Sequence, residues 1–305
     1  MLIGTHLNPD GDALGSALAM SFYLTSEGIK NEVICHHPAP ANLEFLPGSG
    51  KIRQIPQIKD HDLAIVLDLD SLERLGNTAQ YFERIPHMIV MDHHVPHEAP
   101  GDLRIVDTHA PATAVILSRL LFALEADLTP EIATCLLTGI VTDTGSFRFR
   151  NTNAEALSIS AKLLESGANI NLVSEEIFQS KPLSSARLMG YLLERMQLEM
   201  DDRLCYGALD YNDFSITGAK DEDTEGFVNE LLSIRTVQIA AIFREPKPGR
   251  VRVSLRSRSQ YDVAAVAREV GGGGHRNAAG CAFESDLEGA LELIVPKLRA
   301  CLASS

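Results

Sequence analysis

Met88-Ile89-Val90-Met91-Asp92-His93-His94 is an unbroken apolar run that ends in a carboxylate and two imidazoles. Apolar residues without alternation read as a strand buried on both faces, the kind found in parallel sheets covered by helices. Working outward, Ala64-Ile65-Val66-Leu67-Asp68 repeats the design. At the start of the chain, Met1-Leu2-Ile3-Gly4 leads into His6-Leu7-Asn8-Pro9-Asp10-Gly11-Asp12 and a helix of small and apolar residues from Ala13 to Leu24. Each run delivers its polar residues at the carboxyl end of a strand, the edge where open α/β sheets build their sites. The expected fold is therefore α/β, with a mostly parallel N-terminal sheet carrying helices on both faces.

Gathered by position, His6, Asp10, Asp12, Asp68, Asp92, His93, His94 and Asp143 make a donor set large enough for two divalent cations. Imidazole with carboxylate suits Mn²⁺, Mg²⁺ or Zn²⁺ better than a thiophilic ion. Such pairs usually share a carboxylate between ions about 3.5–4 Å apart, lower the pKa of a bridging water and neutralise phosphate oxygens. Each carboxylate also has a structural reading. Asp10, Asp12 or Asp68 would cap a helix, and Asp143 would sit in a turn after one. Adjacent histidines after an apolar strand serve no core, and this favours the metal reading. Of the other histidines, His36-His37 before Pro38 reads as a loop, His61, His87 and His97 as solvated, and His109 is left open.

The 305-residue chain is long enough for two domains, and its 45% hydrophobic content supports real cores. No apolar run reaches the roughly 18 residues of a membrane span, and the first residues lack the basic flank of a secretory signal. Five widely spaced cysteines without a C-x-x-C pair favour free thiols in a reducing compartment, so a cytoplasmic protein is expected. The net charge of −14 argues against a grip on long nucleic acid. That charge is uneven. Residues 1–180 hold 11 Lys+Arg against 23 Asp+Glu, and residues 181–305 hold 16 against 18.

Helical patterns continue over 111–124 and 130–142, with Pro111 and Pro130 expected in first turns, then over 153–166 and 170–179. Lys181-Pro182-Leu183-Ser184-Ser185 breaks them, which divides the chain into a catalytic domain 1–180, a linker 181–186 and a second, smaller α/β domain 187–305. In that domain a helix of about 184–196 precedes a strand at 204–209, and Val237–Phe243 and Val251–Leu255 flank a Pro/Gly turn as a hairpin. A helix over 262–270 leads into Gly271-Gly272-Gly273-Gly274-His275-Arg276-Asn277, followed by a strand at 281–284 and a helix at 287–302. The glycine run has a bland reading as a linker, but its main-chain N–H groups also suit an anion-binding nest beside Arg256 and Arg258.

These stretches resemble the DHH phosphoesterase superfamily, named for a triplet matching Asp92-His93-His94. His6 to Ser16 is similar to its first motif, Val66-Leu67-Asp68 with Leu72 to Gly76 to its second, and Gly139 to Gly145 to its fourth. Gly271 to Gly280 resembles the glycine-rich motif of the associated C-terminal domain, an arrangement similar to the NrnA-like branch. Members commonly carry a helix ahead of the first strand, whereas here the strand begins at Met1.

The resemblance implies two Mn²⁺ ions, with Mg²⁺ or Co²⁺ as substitutes. His6 and Asp10 would bind one, Asp12, His93 and Asp143 the other, and Asp68 would bridge them. His94 would face the scissile phosphate, and Asp92 would support the histidine pair. Arg256, Arg258, His275 and the loop Gly272, Gly273, Gly274 would hold the nucleotide, and the active site would lie in a cleft between the domains.

The expected activity is Mn²⁺-dependent hydrolysis of short oligoribonucleotides to mononucleotides, with 3′-phosphoadenosine 5′-phosphate as a second substrate. Long duplexes and membranes are not expected as partners, and a homodimer is left open. The alternatives are a cyclic or linear dinucleotide phosphodiesterase, an exopolyphosphatase or pyrophosphatase, and a RecJ-like exonuclease. A non-catalytic nucleotide sensor is disfavoured because every inferred ligand is present.

Overall fold

The computed structural model describes residues 1–95, 100–258 and 260–303, with His275 described by its main chain alone; His97 lies outside them. The chain forms two compact units, Met1–Ser180 and Lys181–Ser305.

The first unit is built on five parallel strands, β1 (Leu2–Gly4), β2 (Glu32–Ile34), β3 (Ala64–Leu67), β4 (Met88–Asp92) and β5 (Leu103–Val106), in the spatial order β2-β1-β3-β4-β5. Its helices are α1 (Gly11–Ser26), α2 (Ala79–Phe82), α3 (Thr113–Ala123), α4 (Pro130–Asp143), α5 (Ala154–Glu165) and α6 (Ile170–Ser174). The sheet is apolar on both faces. Ile3, Val33, Ile65, Leu67 and Met91 pack under α1, α3 and α4. On the other face Leu2, Ile34, Ala64, Val66 and Val90 meet Leu69, Leu75 and Phe82. That second face is covered by a short tight-turned segment, Leu72–Thr78, running into the single-turn α2. Because β2 and β3 lie on opposite sides of β1, the order reverses there, and the chain leaves β1 and β3 at one sheet edge carrying His6 and Asp68.

Two expectations for this unit need correction. Pro111 stands ahead of the N-cap Ala112, so α3 begins at Thr113. His61 is not solvated: its side chain is 5% exposed, with Nε2 2.8 Å from Glu32 Oε1. Pro130 does open α4 behind an N-cap at Thr129, whose side chain accepts from Ile132 N–H. His87 is exposed, as expected.

The second unit carries α7 (Leu183–Arg195), α8 (Tyr211–Thr217), α9 (Phe227–Ser233), α10 (Val263–Arg268) and α11 (Leu287–Ala303). Its strands are β6 (Gln197–Glu199), β7 (Leu204–Leu209), β8 (Ile239–Lys247), β9 (Arg250–Ser257), β10 (Gly273–His275) and β11 (Ala278–Phe283), in the order β10-β11-β9-β8-β7-β6. Only the β7–β8 pairing in this sheet is parallel. One face packs on α10 and α11, the other on α7, α8 and α9.

The glycine run is not an open loop. Gly273–His275 pairs antiparallel with β11 as an edge strand, and the N–H groups of Gly271 and Gly272 close the end of α10 on Arg268 O and Ala267 O. A Cβ at Gly272 would collide with the Gly280 carbonyl, so close pairing accounts for glycine there.

Candidate active site

His6, one residue beyond Thr5 at the end of β1, is 3% exposed. Its Nδ1 lies 2.8 Å from Leu7 O, which turns Nε2 toward Asp68 Oδ2 at 3.3 Å and Asp10 Oδ2 at 3.9 Å. Asp10 is the N-cap of α1: Oδ1 accepts from Asp12 N–H at 3.1 Å and Ala13 N–H at 3.0 Å. The cap reading and the ligand reading therefore coexist, each using a different oxygen.

Asp12 is fully buried and serves a second helix. Its carboxylate accepts from the first-turn N–H groups of α3, Thr113 at 2.5 Å and Ala114 at 2.8 Å, and from Ser16 Oγ at 3.2 Å. Space for it exists because α4 carries glycine opposite. A Cβ on Gly139 would stand 2.6 Å from Asp12 Oδ1 and 2.8 Å from the Ala114 Cβ.

Asp68 follows β3 in a left-handed conformation, φ 59°, and is 1% exposed. Its Oδ1 accepts from Thr113 Oγ1 at 3.0 Å and lies 3.6 Å from His93 Nε2 and 3.5 Å from His94 Nδ1. Asp92 ends β4 and gathers the histidine pair. Its Oδ1 accepts from the N–H groups of His93 and His94, at 2.8 and 3.2 Å, and lies 2.8 Å from His94 Nδ1. His93 Nδ1 sits 3.2 Å from Ala110 O, which directs Nε2 to Asp143 Oδ2 at 3.2 Å and Asp12 Oδ2 at 4.0 Å. Asp143 is the last residue of α4.

The electrostatics follow from crowding acids with imidazoles away from water. Burial raises the Asp12 carboxyl well above its usual range, and the charges of Asp68 and Asp143 add to it. Burial also raises Asp143, to about 6, against the hydrogen bond from His93. Burial pushes Asp68 the same way, but the hydrogen bond and charge of His6, with His94 and His93, overcome it and hold the carboxyl far below normal. Burial alone would lower His93, yet its bond to Asp143 and the charges of Asp12 and Asp68 raise it to about 10. His6 and His94 are raised for the same kind of reason, by Asp68 and by Asp92 with Asp68.

The donor set fits divalent cations. His6, Asp10 and Asp68 form one group whose donor atoms lie within 4.8 Å of one another, Asp12, His93 and Asp143 form a second, and Asp68, His93 and His94 a third. His6 and His93 each turn one ring nitrogen to a main-chain carbonyl and the other into the cluster, the usual orientation of metal-binding histidine. The second Asp92 oxygen, Oδ2, is buried without a hydrogen-bond partner among the described residues.

Other residues lie around this cluster without a signal in the sequence. His37 Nδ1 accepts from Asn8 N–H at 3.0 Å and so braces the His6 loop, while His36 Nδ1 accepts from Asn77 N–H at 2.8 Å in the Leu72–Thr78 segment. Asn151 Nδ2 bonds Asp143 O at 3.0 Å and Pro111 O at 3.1 Å. Thr113 touches both Asp12 and Asp68. Polar side chains that act through long-range contacts leave no local pattern. His109 is exposed beside Asp107 and takes no part.

In the second unit, β9 alternates Val251, Val253 and Leu255 inward with Arg252, Ser254 and Arg256 on the opposite face. Arg256 Nη1 donates to its neighbour's carbonyl, Leu255 O, at 3.0 Å, and no carboxylate among the described residues lies within ion-pair distance. Burial, with the Arg244 charge, lowers its pKa against the pull of Glu225. Arg258 differs. Its Nε donates to Val237 O at 2.7 Å and its Nη2 to Leu232 O and Ile234 O, so the guanidinium closes the end of α9. This occupancy argues against the nucleotide role expected of Arg258. The His275 side chain lies outside the described residues.

Comparison with known proteins follows the same division. Residues 1–140 match the DHH family N-terminal domain and residues 211–304 match the DHHA1 domain. The chain belongs to the DHH superfamily of phosphoric ester hydrolases. Its relatives set it in the NrnA-like branch. It is 34% identical over 301 residues to the bifunctional oligoribonuclease and PAP phosphatase NrnA of Thermus thermophilus, covering 97% of this chain and 88% of that one. It is 29% identical over 282 residues to the probable bifunctional oligoribonuclease and PAP phosphatase NrnA of Streptococcus mutans, covering 92% and 88%. A crystal structure of an exopolyphosphatase-related protein from Bacteroides fragilis superposes with a TM-score of 0.93 at 29% identity, covering 98% of this chain and 91% of that one.

Proposed function

We propose that this protein is a Mn²⁺-dependent phosphodiesterase that hydrolyses short oligoribonucleotides to mononucleotides and also dephosphorylates 3′-phosphoadenosine 5′-phosphate. The observation that carries the reading is Asp68, one buried carboxylate shared between a His6–Asp10 group and the His93 group. His6, Asp10 and Asp68 would hold one cation and Asp12, His93, Asp143 and Asp68 the other. Two such ions supply Lewis acidity toward water and phosphate oxygens. The names of the NrnA relatives support the two substrates.

The chain's own groups do the rest. Asp92 holds the His94 ring at Nδ1, and His94 would donate a proton toward a phosphate or leaving oxygen. Arg256 would take the charge of the nucleotide, with His275 and the hairpin of Gly272, Gly273 and Gly274 beside it. Arg258 is left out of this set because its donors close α9. A short substrate agrees with the acidic first unit, which would repel the flanks of a long strand. Buried free thiols at Cys35, Cys135, Cys205 and Cys281 support action in a reducing compartment such as the cytoplasm, and no described helix is long and apolar enough to cross a membrane.

The test is a substrate panel with purified protein and Mn²⁺: a 5′-labelled diribonucleotide, a 24-mer RNA, 3′-phosphoadenosine 5′-phosphate, pyrophosphate and polyphosphate. Mononucleotides from the dinucleotide and adenosine 5′-phosphate from the bisphosphate are expected. Cleavage confined to pyrophosphate or polyphosphate would refute the nucleotide reading.

A further inference from the structure

Thr113 is the first residue of α3, fully buried, behind an N-cap alanine that offers no side-chain acceptor. The first-turn N–H groups of such a helix need a partner from elsewhere. Asp12 supplies it, from 101 residues away, through the bonds to Thr113 N and Ala114 N.

The side chain of Thr113 behaves differently from other hydroxyls on these helices. Ser118, Thr138 and Thr142 donate back to carbonyls one turn earlier, at 2.7–2.9 Å, the common habit of helical Ser and Thr. A first-turn residue has no such carbonyl. Thr113 Oγ1 instead donates to Asp68 Oδ1 at 3.0 Å. That carboxylate also lies 3.3–3.6 Å from imidazole nitrogens of His6, His93 and His94.

We infer that Thr113 is a positioning residue for the metal centre: its hydroxyl sets the rotation of the Asp68 carboxylate, while its N–H anchors Asp12. This rests on the two-cation reading above. Oδ1 is thereby turned toward Thr113, His93 and His94 while Oδ2 faces His6, the disposition a carboxylate needs to serve both donor groups. Partners that orient metal ligands typically change affinity by about 10–100-fold when removed.

The experiment compares Thr113→Val, Thr113→Ala and Thr113→Ser with the unaltered full-length chain. Mn²⁺ affinity and stoichiometry are read by calorimetry and by the spin-resonance signal of free Mn²⁺, with folding checked by circular dichroism. Val and Ala should weaken Mn²⁺ binding about 10–100-fold. Ser, which keeps the hydroxyl, should bind as the unaltered chain does. Unchanged affinity in a folded Val or Ala variant would overturn the role of Thr113 while leaving the metal centre standing. If the unaltered chain bound no Mn²⁺, the underlying reading would fall with it. Should Val and Ala both fail to fold, Thr113→Cys replaces them, its thiol being a weak donor: a roughly tenfold loss there with Ser unaltered upholds the hydroxyl's role, and unaltered affinity in Cys or a roughly tenfold loss in Ser refutes it.

Discussion

The two units bury opposite charges and satisfy them by opposite means. In the first, Asp12, Asp68 and Asp92 are at most 1% exposed, and each accepts hydrogen bonds, Asp12 and Asp68 from Thr113 and Asp92 from the next two residues. In the second, Arg244 and Arg256 lie on β8 and β9, and Arg258, which is exposed, follows the end of β9. Arg244 is held by Thr224 Oγ1, Ser254 Oγ and Asp221, and Arg258 by main-chain carbonyls, whereas Arg256 bonds only Leu255 O among the described residues. A buried charge left with few partners is costly, so it marks a place where a ligand completes the set. This contrast is why we propose cations for the first unit and an anion for Arg256 in the second.

The largest effect expected from breaking this contrast is at Asp68. Asp68→Ala should lower kcat more than about 100-fold on every phosphoester, beyond the loss usual for an indirect partner, and should reduce Mn²⁺ stoichiometry in a titration. Retained turnover would remove Asp68 from the centre. Arg256→Ala should raise KM for the bisphosphate nucleotide about 10–100-fold, the worth of a charge-assisted hydrogen bond, while Mn²⁺ affinity stays unchanged. A fall in kcat with KM constant would mean that the second unit is not where the nucleotide is held. Arg258→Ala sharpens the distinction, since it should leave KM alone and lower the unfolding free energy by about 1–3 kcal/mol as the α9 carbonyls lose their donor.

The smallest effect belongs to an exposed cluster in the first unit, where Arg119 pairs with Asp107 and Glu155 at 2.6 and 2.5 Å. The Arg119 bond is the main cause holding both carboxyls below their usual pKa. Because the folded values are depressed, the stabilisation is present above the unfolded carboxylate range of about 4 and is lost as pH falls through the folded values. These side chains are more than a third exposed or close to it, so Arg119→Ala should cost at most about 1 kcal/mol near neutrality. The melting temperatures of the two proteins should converge at acid pH. A gap that widened on acidification would contradict the assignment.

What could be read from the sequence was what is local. Three apolar runs ending in ligands announce β1, β3 and β4, and the proline at α4 and the β8–β9 turn declare themselves by composition. β5 does not, because Arg104 interrupts its apolar character, and β6 is too short to show a pattern. The glycine run misleads for a physical reason: four glycines have the composition of a loop, but here the missing Cβ atoms allow close strand pairing. The candidate ligands were visible because they cluster after strands and at helix ends, whereas Thr113, Asn151 and His36-His37 act across 29 to 101 residues or through contacts no spacing rule encodes.

The bond from Asp12 to the start of α3 also sets an order in time. A ribosome releases Asp12 about a hundred residues before Thr113, so α1 emerges long before the helix its carboxylate must cap. Contacts so distant in sequence form late, after the intervening loop has closed. The same carboxylate is a proposed ligand, so the cluster assembles only once the first unit has nearly finished folding. A partly made chain would therefore lack a loaded centre, and hydrolytic competence would arrive together with the completed fold.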